Sequence, residues 1–399
     1  MFQDATDSYD PRSVEDRRIQ PWRKWWPYQP RNGDGDGDGK DDTTSPVLKD
    51  PSGAIPPWVK WEFDNDRPWE KPWIYWPLSW SPKYYGHAFI EPEVTHDAAF
   101  IEKCLRLQKP HPISEFNPFR TTSLVQFFKD KPGHEAEKAY ALRVPVAPES
   151  GVQSNFEGAW SQIMLTDARG HEDLFTLDRD GFAWFTHVSE HATLRPRPGF
   201  GFGFDAHAFD VVAYMREMAD YLVQSLGATE CFIYDYVRRS PDPVDRKGGF
   251  SDITRRIHCD QSPRSAIGRI KLHMGDRAAD LLKKRCRIFS LWRPLLPVIE
   301  AYPLAACTYT STAHEDLVPI DVVYPHYAEE SFEIRHKLTH QWFYKSAMTP
   351  EDIMLIKLFD NKMDGDTAYY SPHGSWRDPN ARKDAPFRRS IELRCMVFG

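Results

Sequence analysis

The sequence predicts a mainly β chain with flanking helices, built on a double-stranded β-helix core of the jelly-roll, cupin-like kind. Three observations carry this reading. Short runs rich in β-branched and aromatic residues recur through the second half, at spacings of roughly 10 to 15 residues, punctuated by Pro, Gly and Asp. Helical periodicity is confined to three amphipathic stretches. The closing run RRSIELRCMVF alternates polar and apolar residues, as a strand between two different environments does.

The elements follow in order. Residues 1–57 hold the tract NGDGDGDGKDD and several prolines with almost no aliphatic periodicity, so they read as a flexible low-complexity arm that buries too little to offset ordering entropy. Asp34, Asp36, Asp38 and Gly39 match the opening of a calcium loop, but Ser45 stands where a bidentate Glu is needed; a solvated spacer fits better. Residues 58–399 read as a single domain, with a wrapping segment over 58–95 and the catalytic core over about 230–399. In the wrapping segment Trp58, Trp61, Trp69, Trp73, Trp76 and Trp80 are interleaved with prolines, which favours extended chain laid over a core; an aromatic lid is the functional alternative. Helices are expected at 97–108, at 208–226 with Gly227 as its stop, and at 276–286. Strands are expected in EDLFTLD, TECFIYDYV, RRIHCD, RCRIFSLW, DLVPIDVVY, SFEIRHKL, HQWFYKS, IMLIKLFD, TAYYSPHGSW and RRSIELRCMVF.

Composition excludes several function classes. With 58 acidic residues against 51 Lys plus Arg, the net charge of −7 gives no basic field to draw the chain onto nucleic acid. No run of about 18 uncharged apolar residues predicts a membrane span. The start lacks an apolar leader, and the six cysteines, Cys104, Cys231, Cys259, Cys286, Cys307 and Cys395, are scattered singly, so a soluble protein of the reducing cytoplasm is expected.

A jelly roll suits non-haem iron, where two His and one carboxylate occupy one face of the metal. Residues i and i+2 share a strand face, so His-x-Asp aims both ligands at one ion. Three pairs fit: His171 with Asp173, His258 with Asp260, and His314 with Asp316. The first and third lie in turn-like sequence, whereas His258 and Asp260 close an apolar run, which favours the second pair. His373, in SPHGSW near a strand end, is the candidate distal ligand. Beyond it, alternation places Arg388, Ser390, Glu392 and Arg394 on one face and Ile391, Leu393, Cys395 and Val397 on the other. An inward Arg beside a hydroxyl is what a bound dicarboxylate needs, since the guanidinium fork grips a carboxylate bidentately. An Arg–Glu ladder on a solvated strand is the competing reading.

Taken in order, LTDARG, FTLDRDGF, LGATECFIYDYVRRS, RRIHCDQS, LLKKRCRIFSLWRPL, PLAACTY, EDLV, HQWFYKSAMTPEDIMLIKLFDNK, SPHGSWRDP and APFRRSIELRCMVF resemble the successive blocks of the fungal gibberellin-desaturase-like hydroxylase/desaturase family, with its AsaB-type and CmcJ-type members. The resemblance spans about residues 120–399, and Tyr236 departs from it, standing where many relatives carry His. It implies a non-haem Fe(II)- and 2-oxoglutarate-dependent oxygenase of fungal secondary metabolism, using O2. The implied ligands are His258, Asp260 and His373, and the implied co-substrate anchors are Arg388 and Ser390, with Arg293 and Arg394 as rival arginines. It sets His314 aside, because that residue adjoins the EDL block. His336 and His340 read as core or pocket-wall histidines, and Trp292, Trp342, Phe343, Tyr344 and Trp376 as expected pocket walls.

The implied reaction couples decarboxylation of 2-oxoglutarate to succinate with hydroxylation, desaturation or oxidative cyclisation of a small natural-product intermediate. A homodimer is compatible with it. Two alternatives stay open: an iron oxygenase that needs no 2-oxoglutarate, and a non-catalytic jelly-roll partner of an active relative.

Overall fold

Asp97 opens the first helix, Ala98–Leu107, by accepting the Phe100 amide at 2.9 Å, which satisfies one of the donors a helix start leaves unpaired. The computed structural model describes residues 92–93, 95–142, 154–192, 195–197, 201–203, 211–247, 250–323 and 328–399. The acidic tract and the Trp/Pro-rich segment lie outside the described residues. The second helix, Val211–Leu226, buries Tyr214, Met215, Met218 and Leu222 on one face. It stops at Gly227, whose φ of 60° lets the Ala228 amide return to the Val223 carbonyl at 3.0 Å.

Two local expectations are corrected, and one helix is added. The helix expected at 276–286 shrinks to a 3-10 turn, Gly275–Arg277, and one helical turn, Ala278–Leu281. Asn361 ends it: its amide donates to the carbonyls of Leu282 and Lys284 at 3.1 and 2.7 Å and accepts the Cys286 amide at 2.8 Å, so Cys286 already starts a strand. The strand expected in EDLFTLD is instead a 3-10 turn, Glu172–Leu174, followed by Thr176, whose amide is taken at 2.8 Å by the buried Asp180. A helix the periodicity does not announce, Pro263–Met274, begins at Ser262, which accepts the Ser265 amide at 3.2 Å, with Pro263 in the first turn.

Two sheets form the body. The larger has nine strands in the spatial order Arg120–Lys129, Glu157–Asp167, Trp342–Tyr344, Leu304–Cys307, His373–Ser375, His258–Cys259, Ala328–Ile334, Leu317–Val323 and Ala139–Leu142. The smaller runs Phe182–Thr186, Asp352–Asp360, Cys286–Pro294, Ser390–Phe398 and Glu230–Arg239, all antiparallel. Strands from residue 120 onward therefore build the sheets, well before the start at about 230 read from sequence.

Alternation sorts the side chains into layers. Leu304, Ala306 and Phe343 from the larger sheet meet Phe232, Ile288, Trp292, Met354, Ile356 and Met396 from the smaller one in the core between them. Phe289, Leu291, Ile353, Ile391, Leu393, Cys395 and Val397 point the other way and pack under helix Val211–Leu226. A further cluster with Phe127, Cys259, Cys307, Trp342, Tyr344 and Trp376 covers the far face of the larger sheet. This is a jelly roll with helices outside.

Candidate metal centre

His258 and His373 stand opposite each other in the antiparallel pairing of two short central strands, next to Ala306, which pairs with His373. Since Ala306 points into the space between the sheets and Cys259 points away, strand alternation aims both imidazoles inward. Asp260, two residues after His258, brings its Oδ1 within 3.2 Å of His258 Nε2 and 4.0 Å of His373 Nε2. One ligand atom from each of the three lies within 4.8 Å of the others, the one such three-residue group among the described residues.

Backbone carbonyls fix both rings. The Nδ1–H of His258 donates to Arg256 O at 2.8 Å and that of His373 to Ser371 O at 3.0 Å, which leaves both Nε2 lone pairs facing the shared space. Burial opposes charge on His258, but the Asp260 carboxylate outweighs it and raises its pKa. His373 is lowered, first by burial and then by His258. Burial would raise Asp260, yet Arg394 and the two imidazoles hold it well below the usual carboxylate range. The donor set of two imidazole nitrogens and one ionised oxygen matches a 2-His-1-carboxylate iron site.

Ser375 lies two residues beyond His373 on the same strand face, and its Oγ accepts from Arg388 Nη1 at 2.6 Å. Arg388 is 1% exposed; its Nη1 also donates to Tyr302 O at 3.1 Å, and Trp292 lies 5.3 Å from the guanidinium carbon. Arg388 Nε and Ser390 Oγ are buried without a hydrogen-bond partner among the described residues. A buried cation with unused donors is costly unless a ligand completes it. Burial first, and Arg239 second, push the Arg388 pKa down to about 9. A small surface crevice of about 10 Å³ is lined in part by Leu124, Trp160, Arg255 and Ser375.

The rival arginines are placed differently. Arg293 follows Phe289 and Leu291 onto the outer face, where Nε donates to Tyr214 Oη at 2.8 Å and Nη1 to His187 O at 2.9 Å and to Pro350 O. It does not join Arg388. Arg394 faces inward, but carboxylates take its nitrogens, including Asp260 Oδ2 at 3.0 Å. Of the expected walls, Trp292 and Phe343 face the inter-sheet core, whereas Trp342, Tyr344 and Trp376 pack on the far face. Tyr236 packs at the outer layer too.

The other His-x-Asp pairs stay apart from this site. His171 precedes a 3-10 turn and packs on Phe116, with ring centroids 4.6 Å apart. Asp316 binds His340 Nε2 at 3.0 Å and Lys337 Nζ at 2.6 Å, which makes His340 a core histidine, while His336 bonds Gln162 O at 3.1 Å. Sequence reasoning missed Ser375 and Asp235; the His373-x-Ser375 spacing was the signal for the first.

Residues 125–398 match the family described as the Oxidoreductase/YMDC permease-like domain. The chain is 30% identical over 261 residues to the Fe(II)/2-oxoglutarate-dependent dioxygenase nvfI of Aspergillus novofumigatus (strain IBT 16806), covering 64% of this chain and 89% of that one. It is 30% identical over 264 residues to the hydroxylase/desaturase CTB9 of Cercospora beticola, covering 59% and 76%. A solved structure of the iron and alpha-ketoglutarate-dependent endoperoxidase NvfI superposes with a TM-score of 0.60 at 26% identity, over 70% of this chain and 98% of that one. The chain thus belongs to the Oxidoreductase/YMDC permease-like domain family, alongside fungal iron- and 2-oxoglutarate-dependent oxygenases.

Proposed function

We propose that this oxygenase holds Fe(II) through His258 Nε2, Asp260 Oδ1 and His373 Nε2. On the same reading it anchors the distal carboxylate of 2-oxoglutarate through Arg388, with Ser390 and Ser375 beside it, to oxidise a small natural-product intermediate. The observation that carries the reading is a three-ligand cluster linked to a buried, under-coordinated guanidinium by the strand His373–Ser375, whose Ser375 bonds Arg388. His373 and Ser375 are separated by roughly 6.6 Å along that strand, a span suited to a short dicarboxylate with one end at the metal and the other at Arg388.

When bound, iron and 2-oxoglutarate supply the oxidising chemistry with O2. The protein's residues do the rest. Arg256 O and Ser371 O keep both imidazoles in the neutral tautomer that ligates through Nε2. Arg388 supplies the fork, and Trp292 packs on it and shields it from water. The buried inter-sheet core, with Trp292, Ile288 and Phe343, keeps bulk water from the reacting centre. A reducing cytoplasmic setting is part of the reading and is supported by six unbridged cysteines.

Anaerobic titration of Fe(II)-loaded protein with 2-oxoglutarate tests it. A visible charge-transfer band, lost in His373→Ala and weakened in Arg388→Ala, is the expected result. Metal binding with no response to 2-oxoglutarate would favour an oxygenase that chelates its substrate directly.

A further inference from the structure

We infer that Arg394 is a positioning residue that ties off one oxygen of Asp260, so that this carboxylate ligates through its other oxygen alone. The inference rests on the metal-site reading above. The two oxygens of Asp260 have different surroundings: Oδ1 faces both imidazoles, whereas Oδ2 accepts from Arg394 Nε at 3.0 Å.

Arg394 is itself pinned. Its Nη1 donates to Asp235 Oδ2 at 2.6 Å, and its Nη2 lies 3.3 Å from Glu392 Oε1. Glu392 is held in turn by Ser290 Oγ at 3.0 Å and Arg239 Nε at 3.3 Å. The backbone is built for this arrangement. The pairing of Ser390–Phe398 with Glu230–Arg239 slips at Arg394, which opposes Asp235 while Cys395 opposes Ile233, so a bulge at Tyr234 brings Asp235 to the guanidinium. All three guanidinium nitrogens therefore point in fixed directions, one of them at the ligand.

The chemical consequence is an open coordination face. A 2-oxo acid takes two positions and O2 a third, so three protein donors must occupy three positions and no more. A carboxylate free to turn can bind through both oxygens and fill one of those positions. The charge-assisted bond to Arg394 prevents this by engaging Oδ2.

The test titrates metal-free protein anaerobically with Co(II) alone, following the visible ligand-field bands, and then follows the charge-transfer band of the Fe(II) protein with 2-oxoglutarate. Arg394→Gln is expected to lower the intensity of the ligand-field bands as Oδ2 joins the metal and the coordination number rises, and to diminish the charge-transfer band because a position needed by 2-oxoglutarate is filled. Arg394→Lys should restore part of the wild-type spectrum. Folded Arg394→Gln protein with an unchanged Co(II) spectrum overturns the inference. Should that variant fail to fold, Asp235→Ala, which removes one of the anchors of Arg394, carries the same test: an altered Co(II) spectrum supports the inference and an unaltered one overturns it. His258→Ala separates the two levels of the argument, since Co(II) binding that survives it undiminished overturns the metal-site reading itself, whatever Arg394 does.

Discussion

His258 and His373, 115 residues apart in sequence, are direct cross-strand partners, with ring centroids 4.7 Å apart and planes inclined at 49°. Their register is set by the strands on either side, Leu304–Cys307 and Ala328–Ile334, so the placement of the two imidazoles is a property of sheet pairing and not of a flexible loop.

Gly374, between His373 and Ser375, tests that dependence. A Cβ there would lie 2.9 Å from Ile257 Cδ1 and 3.5 Å from Arg256 O, the carbonyl that orients His258. Gly374→Val is therefore expected to disturb the facing strand and weaken Co(II) binding about tenfold or more. Gly374→Ala, where the Ile257 methyl can yield, should cost less. Titration of both variants by isothermal calorimetry checks the order.

The proposed co-substrate anchor is tested by its fork. Burial and the neighbouring Arg239 both oppose the charge of Arg388, so a carboxylate that completes the guanidinium is strongly favoured. Arg388→Lys, which lacks the fork, should lower affinity for 2-oxoglutarate roughly 10- to 100-fold at pH 7, the worth of a charge-assisted hydrogen bond. Equilibrium binding to the Fe(II) protein reads the effect.

Asp316 supplies an acid-sensitive stability term away from the site. Burial alone would raise its pKa, but His340 and Lys337 reverse this and hold it at about 2. A carboxyl whose folded pKa lies below its unfolded value stabilises the fold above the ordinary range near 3.9, and the contribution fades as pH falls towards 2. The melting-temperature difference between wild type and Asp316→Asn should thus be full at pH 6 and shrink between pH 4 and about pH 2.

Lys357 and Asp360, both 0% exposed, form an ion pair at 2.8 Å, with Asp178 and Arg285 joined to it. Lys357→Met leaves Asp360 with Arg285 and the Lys362 amide and should destabilise, by less than the roughly 3–5 kcal/mol that stranding a buried charge costs. Chemical denaturation measures this, and Co(II) affinity of the folded fraction should stay unchanged.

Much of the site was legible because strand alternation is a local rule. His258-x-Asp260 and the polar face Ser390, Glu392, Arg394 follow from period two, and the structure keeps Ile391, Leu393, Cys395 and Val397 together on the other face. The choice between Arg388, Arg293 and Arg394 was not legible, since it depends on which layer each strand face meets, and that is decided by pairings far apart in sequence. The strands Arg120–Lys129 and Glu157–Asp167 went unread for a related reason: they pair with each other and then with Trp342–Tyr344, nearly two hundred residues away. Helix Pro263–Met274 was hidden by its polar sequence, although Ser262 followed by Pro263 was a readable start signal.

The central claim is that one ion sits among His258, Asp260 and His373. The most direct measurement is anomalous diffraction at the iron edge from crystals loaded anaerobically with Fe(II) and 2-oxoglutarate. A single strong peak bonded to His258 Nε2, Asp260 Oδ1 and His373 Nε2, with the distal carboxylate of the co-substrate on Arg388, is the expected result; an iron peak elsewhere, or none among these three side chains, would contradict it.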